Sequence, residues 1–270
     1  MNRSGAPLQA PATPGVQCFP GVVGAIAGRV VGARANAATF AIAALAIFAL
    51  KAFYARASAG ELGFVLAPTA ALDELLSGVV FEAEAGVGYL SRDPAYLIAP
   101  ACAGLNYTIA AFATLVLGFA PRLEGPRARA AGLVAFAAVA LAVTPVVNAL
   151  RITLDLEIRT AELPAWLSHA QAHRFEGIVL YLGSLWALSA AVQRGFGQRS
   201  LRWGAVLVPV AAYLGVTVLV PLLNGAGERD LFWDHARVVL VASFALTALA
   251  AVAALIRRRG AAARDRPNSS

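Results

Sequence analysis

Residues 131–150 read AGLVAFAAVALAVTPVVNAL, twenty residues without a charge, closed by Arg151. A helix of that length rises about 30 Å, the thickness of bilayer hydrocarbon. The run lacks the strict alternation of an outer-membrane barrel strand, so it reads as a transmembrane helix. Comparable apolar runs lie near 36–55, 103–120, 174–192, 203–222 and 236–256, making six expected spans. The expected fold is an all-α, polytopic bundle with amphipathic interfacial segments between some spans.

Composition agrees. The chain has 270 residues, 59% hydrophobic and only 14% charged, where a soluble domain carries about a quarter charged residues. Mean hydropathy is +0.69. Two cysteines, Cys18 and Cys102, are too few for a disulfide framework, and neither belongs to a CxxC motif. The net charge of +7 comes from arginines that punctuate spans rather than forming a basic stripe with aromatics, so no nucleic-acid partner is expected.

Those arginines set the expected orientation. With the N-terminus in the cytoplasm, the inner side holds fourteen of the 22 basic residues but only Glu124 and Asp265 of the 15 acidic ones. Both termini are then cytoplasmic. The chain divides into a flexible or interfacial leader (1–35), a membrane domain (36–256) and a basic tail (257–270), the tail in contact with anionic lipid. Within the leader, GVVGAIAGRVVGA (21–33) is broken by Arg29 and too short to span. In the long 56–101 connection, Asp73, Glu74, Glu82 and Glu84 are expected on the solvated face of amphipathic segments, PTAALDELLSGVVF (68–81) being one.

Three polar motifs fall on the same expected membrane face. The first is PACAGLN (100–106). Pro100 suits a first helical turn, and a thiol near a helix N-terminus favours the thiolate. Gly104 permits close approach of a neighbour, and Asn106, four residues after Cys102, is expected on the same helical face as an oxyanion donor. A buried, inert cysteine is the competing reading. The second motif is NALR (148–151), with Arg151 expected at the end of its span and Asn148 on the same face. Arg151 reads either as an interfacial anchor or as a group that binds an oxyanion, a carboxylate or the thiolate. The third is HRFEG (173–177), where His173 opens a span and Gly177 shares its face. His173 reads as a structural histidine or a general base. His169 and His173 have the i, i+4 spacing of metal ligands, but no third ligand is evident beyond Glu162 or Glu176, so neither a metal nor another cofactor is expected.

The ordered set PACAGLN, NALR and HRFEG resembles the exosortase/archaeosortase family of membrane transpeptidases over about residues 100–190, and by hydropathy outside them. Ala103 stands where many members carry serine. The short chain and the CAGLN variant resemble the K class, and retention of His173 points to a bacterial protein. The resemblance implies that Cys102, Arg151 and His173 are catalytic, with Gly104, Asn106, Asn148 and Gly177 supporting them. It implies cleavage of exported proteins that end in a short PEP-like signal, a transmembrane helix and a basic tail. Cleavage would proceed through a Cys102 thioester at the outer face of the bacterial inner membrane, with membrane lipids as surroundings. A non-enzymatic transport or envelope-polysaccharide assembly subunit, with Arg151 and His173 lining a polar path, is the alternative. A thiol redox protein is disfavoured because Cys18 is expected on the opposite face.

Overall fold

A computed structural model describes residues 20–92, 96–198 and 204–264. Cys18 and most of the expected leader lie outside the described residues. Six helical stretches are long and apolar enough to cross a bilayer: Ala35–Tyr54, Pro100–Arg122, Pro126–Thr160, His169–Gly195, Gly204–Leu223 and Leu231–Ala253. Each overlaps one of the apolar runs above. The protein is a multi-pass, all-α membrane bundle.

The first stretch belongs to α1 (Pro20–Tyr54), so residues 21–33 are the opening turns of the same helix and not a separate element. The second contains α3 (Leu105–Phe119), the most buried of the six, which packs against α1, α4 (Pro126–Thr160), α5 (His169–Gly195) and α6 (Gly204–Leu214). Small residues allow this, since Ala110 and Ala111 of α3 and Ala140 of α4 are buried in one core with Leu115, Phe119, Leu182 and Leu185. Close backbone approach through small side chains is how helices associate when lipid is as apolar as their own surface. The outward faces carry exposed apolar groups such as Phe48, Val134, Val241 and Phe244. α6 runs through a π-turn (Gly215–Leu219) into the short α7 (Val220–Leu223), and α8 (Asp230–Arg264) completes the bundle.

The 56–101 connection departs from expectation. α2 (Gly63–Ser77) does form, and ends where Gly78 adopts φ 74° and its N–H bonds the Glu74 carbonyl. The chain then turns into a three-stranded antiparallel meander of β1 (Phe81–Glu84), β2 (Gly88–Ser91) and β3 (Tyr96–Ile98). Strands of three or four residues leave no periodic trace to read. Glu74, Glu82 and Glu84 are exposed as expected, but Asp73 is not. It is fully buried on the side of α2 that faces α4 and accepts a hydrogen bond from Thr153 there, because α2 packs along α4. Burial pushes the Asp73 carboxyl up from its ordinary range, the Thr153 bond opposing.

Candidate active site

α4 continues past Arg151 to Thr160, which corrects the expectation that Arg151 ends its helix. The helix dipole acts within the last turn, so it does not account for a cation nine residues earlier. Arg151 is instead turned toward α5, where one guanidinium nitrogen lies 2.8 Å from His173 Nε2. Gly177 makes that reach possible, because a Cβ there would stand 3.2 Å from Arg151 Nε. α5 itself starts at a capping box in which Ser168 accepts from the Gln171 N–H and Gln171 accepts from the Ser168 N–H. His173 therefore occupies the first turns of α5, as its motif predicts.

The other ring nitrogen, His173 Nδ1, lies 2.7 Å from Asp155 Oδ1. Its alignment falls short of a full hydrogen bond, so the contact is chiefly electrostatic. A guanidinium only donates, so Nε2 accepts from Arg151 and the neutral ring carries its proton on Nδ1, facing the carboxylate. Asp155 is 4% exposed. Its second oxygen accepts from the Tyr96 hydroxyl at 3.0 Å and from Arg159 Nε at 3.2 Å. Burial, reinforced by that carboxylate, pushes the Tyr96 phenol well above the usual tyrosine range. Glu176 approaches His173 Nδ1 only to 3.8 Å.

Cys102 is held by its main chain. It closes a 3₁₀ turn, Pro100–Cys102, and Gly104 then adopts φ 70° before α3 begins. This break corrects the expectation that Cys102 and Asn106 share a helical face: they stand on either side of it. Asn106 instead accepts a 2.6 Å hydrogen bond from Lys51 of α1. Asn148 donates to the Cys102 carbonyl and accepts from the Tyr181 hydroxyl at 3.2 Å, so one amide ties the cysteine turn to α4 and α5. Gly104 admits this contact, since a Cβ there would stand 3.2 Å from both Asn148 Cγ and Thr144 Cγ2. Tyr54 Oη lies 3.3 Å from the Pro100 and Ala101 carbonyl oxygens. The Cys102 side chain is half-buried and packs against a cluster containing Ala103, Leu105 and Ile152, within electrostatic reach of Arg151 and Tyr96.

A pocket of about 300 Å³ opens beside these groups. Its walls are the end of α1 (Tyr54), the start of α3 with its preceding turn, Arg151 of α4, the first half of α5, Tyr213 and Thr217 in the middle of the α6–α7 run, and His235 at the start of α8. Residues from all six spans thus meet in one place. Ala101, Gly104, Asn106, Arg151, His173 and Gly177 line the pocket directly. Cys102 lies in the turn between two lining residues and is not itself part of the wall.

His169 faces the Ile158 carbonyl at 3.1 Å, away from the partners of His173. Among the described residues no group of three His, Cys, Asp or Glu side chains is placed to hold a metal. Sequence reasoning missed Asp155, Tyr96, Tyr181 and His235. Asp155 alone carried a signal, standing one helical turn after Arg151. The chain was compared with family models, with curated proteins and with solved structures, and it matches none of them.

Proposed function

We propose that the protein is a membrane cysteine peptidase or transpeptidase that cleaves exported proteins near their C-terminal membrane anchor. The observation that carries this reading is the chain Asp155–His173–Arg151 beside the Asn148-bound turn that bears Cys102. A neutral imidazole whose Nδ1 proton faces a buried carboxylate presents Nε2 as its basic nitrogen.

In this proposal Nε2 becomes free when the Arg151 guanidinium turns from His173 to the incoming peptide carbonyl. His173 then takes the Cys102 proton, and the thiolate attacks the carbonyl carbon. Arg151 and adjacent backbone N–H groups stabilise the oxyanion. The C–N bond breaks as His173 returns the proton to the leaving amine, which departs with the substrate's anchor. Water or an acceptor amine next attacks the thioester while His173 takes its proton, the C–S bond breaks, and the departing thiolate recovers that proton from His173. Asp155 keeps the imidazole in the required tautomer throughout.

The excess of arginine on the opposite ends of the spans supports a site outside the bacterial inner membrane. A substrate helix lying in the bilayer would reach such a site laterally.

The test is co-expression of the full chain with an exported protein that ends in a signal motif, a transmembrane helix and a basic tail. The wild-type chain is expected to remove the C-terminal segment and, with hydroxylamine present, to release an acyl hydroxamate from the thioester. Cys102→Ser should insert into the membrane and do neither. Normal processing by that variant would falsify thiol catalysis.

A further inference from the structure

The chemistry above uses one wall of the pocket. The same pocket is also lined by Arg174 on α5, Tyr213 and Thr217 near the π-turn, and His235 on α8. No aspartate or glutamate lines the pocket, whereas two arginines and two histidines do. Among the described residues Arg174 and His235 make no hydrogen bond or ion pair, and the charge of Arg174 acts directly on the imidazole. Both side chains are solvent-exposed with no partner of opposite sign among the described residues, so the guanidinium donors and an imidazole nitrogen remain open to an anion. A π-turn is uncommon and tends to occur at functional positions. Here it places Thr217 in the wall, its hydroxyl bonded to the Tyr213 carbonyl at 2.7 Å, with oxygen lone pairs left over.

We propose that Arg174 and His235 form a subsite for the phosphate of an anionic phospholipid headgroup. A guanidinium presents paired N–H donors that match two phosphate oxygens, and an imidazole from a second helix adds a donor from another direction, as a tetrahedral anion requires. Exposed apolar side chains next to these two in sequence point to the source of the phosphate. Phe175 follows Arg174 and is 50% exposed, while Leu231 and Trp233 precede His235 and are 80% and 45% exposed. A lipid offers charge for the pocket and hydrocarbon for such side chains. A cavity of about 300 Å³ is at the lower end of small-ligand sites, enough for a headgroup with its acyl chains outside. The site does not depend on the reactivity of Cys102.

The experiment measures phosphatidylglycerol binding to the full-length protein in detergent, by titration and by thermal shift, with phosphatidylcholine and soluble glycerol phosphate as comparison probes. Phosphatidylglycerol should bind the wild type and Cys102→Ser equally, so the result is read independently of the thiol chemistry. Arg174→Gln and His235→Gln should each weaken binding about tenfold or more, and Arg174→Lys should recover part of it with an unchanged melting point. Three results would overturn the proposal: equal binding by the Gln variants, glycerol phosphate binding as tightly as the lipid, or an acidic peptide saturating the site while phosphatidylglycerol does not.

Discussion

At one end of the bundle, Phe119 of α3 stacks on Phe196 with ring centroids 5.5 Å apart and tilts against Phe136 of α4 at 6.5 Å, while Arg122 lies over both Phe119 and Phe196 from outside. At the other end, the same helices meet through Asn148, Arg151, Asp155 and His173. Packed rings need no compensation for burial. Buried carboxylates do, and the compensation at the pocket end is incomplete. Both Glu176 oxygens are buried without a hydrogen-bond partner among the described residues. Replacing such groups with apolar ones commonly leaves stability unchanged or higher. The two ends therefore differ in what holds them, apolar packing at one and partly compensated polar contacts at the other.

That contrast can be broken from either side. The largest effect is expected from Asp155→Asn, which keeps the shape but removes the charge facing His173 Nδ1. Processing of the anchored substrate should fall by about 10²- to 10⁴-fold with the melting point nearly unchanged. A matched loss of melting point and rate would mean that the carboxylate serves only the fold. At the opposite end, Phe119→Ala should cost about 3 kcal/mol of stability and leave the rate per folded molecule intact, measured by unfolding in detergent beside the processing assay.

Between these lies Gly104→Ala. It forces a side chain into a left-handed conformation, costing about 1–2 kcal/mol, and its Cβ would press on Asn148 and Thr144. Stability and activity should fall together, with Cys102 labelling by a membrane-permeant maleimide altered as the turn moves.

The smallest effect is expected from Tyr96→Phe, at about 1 kcal/mol near neutral pH. Because the folded phenol titrates above its unfolded value of about 10, its stabilisation is full below that pH and is lost as pH rises toward the folded value. Wild type and variant should therefore converge above pH 10. A gap that stays constant across an unfolding series from pH 7 to 11 would remove the Tyr96–Asp155 hydrogen bond from the account.

The legible part of the molecule was local. Twenty uncharged residues before Arg151 are a span whatever else the chain does, since the bilayer sets the length against which the run is measured. PACAGLN, NALR and HRFEG could be picked out as polar groups beside apolar runs, and Gly104 as a position that leaves room. Helix continuation beyond 151 was misjudged because Asp155, Glu157 and Arg159 resemble a loop in composition. They lie on a helix whose Asp155 side is covered by α5 and β3.

What the amino-acid order alone determined is that six helices cross a membrane and that a thiol, a guanidinium and an imidazole stand near their ends. Tertiary structure decided their partners: Tyr96 reaches Asp155 across 59 residues of chain, and Asn148 reaches the Cys102 carbonyl across 46. Hydropathy is a property of neighbours in sequence. A buried hydrogen bond depends on which helices pack together and at what rotation, and no short window of residues carries that information.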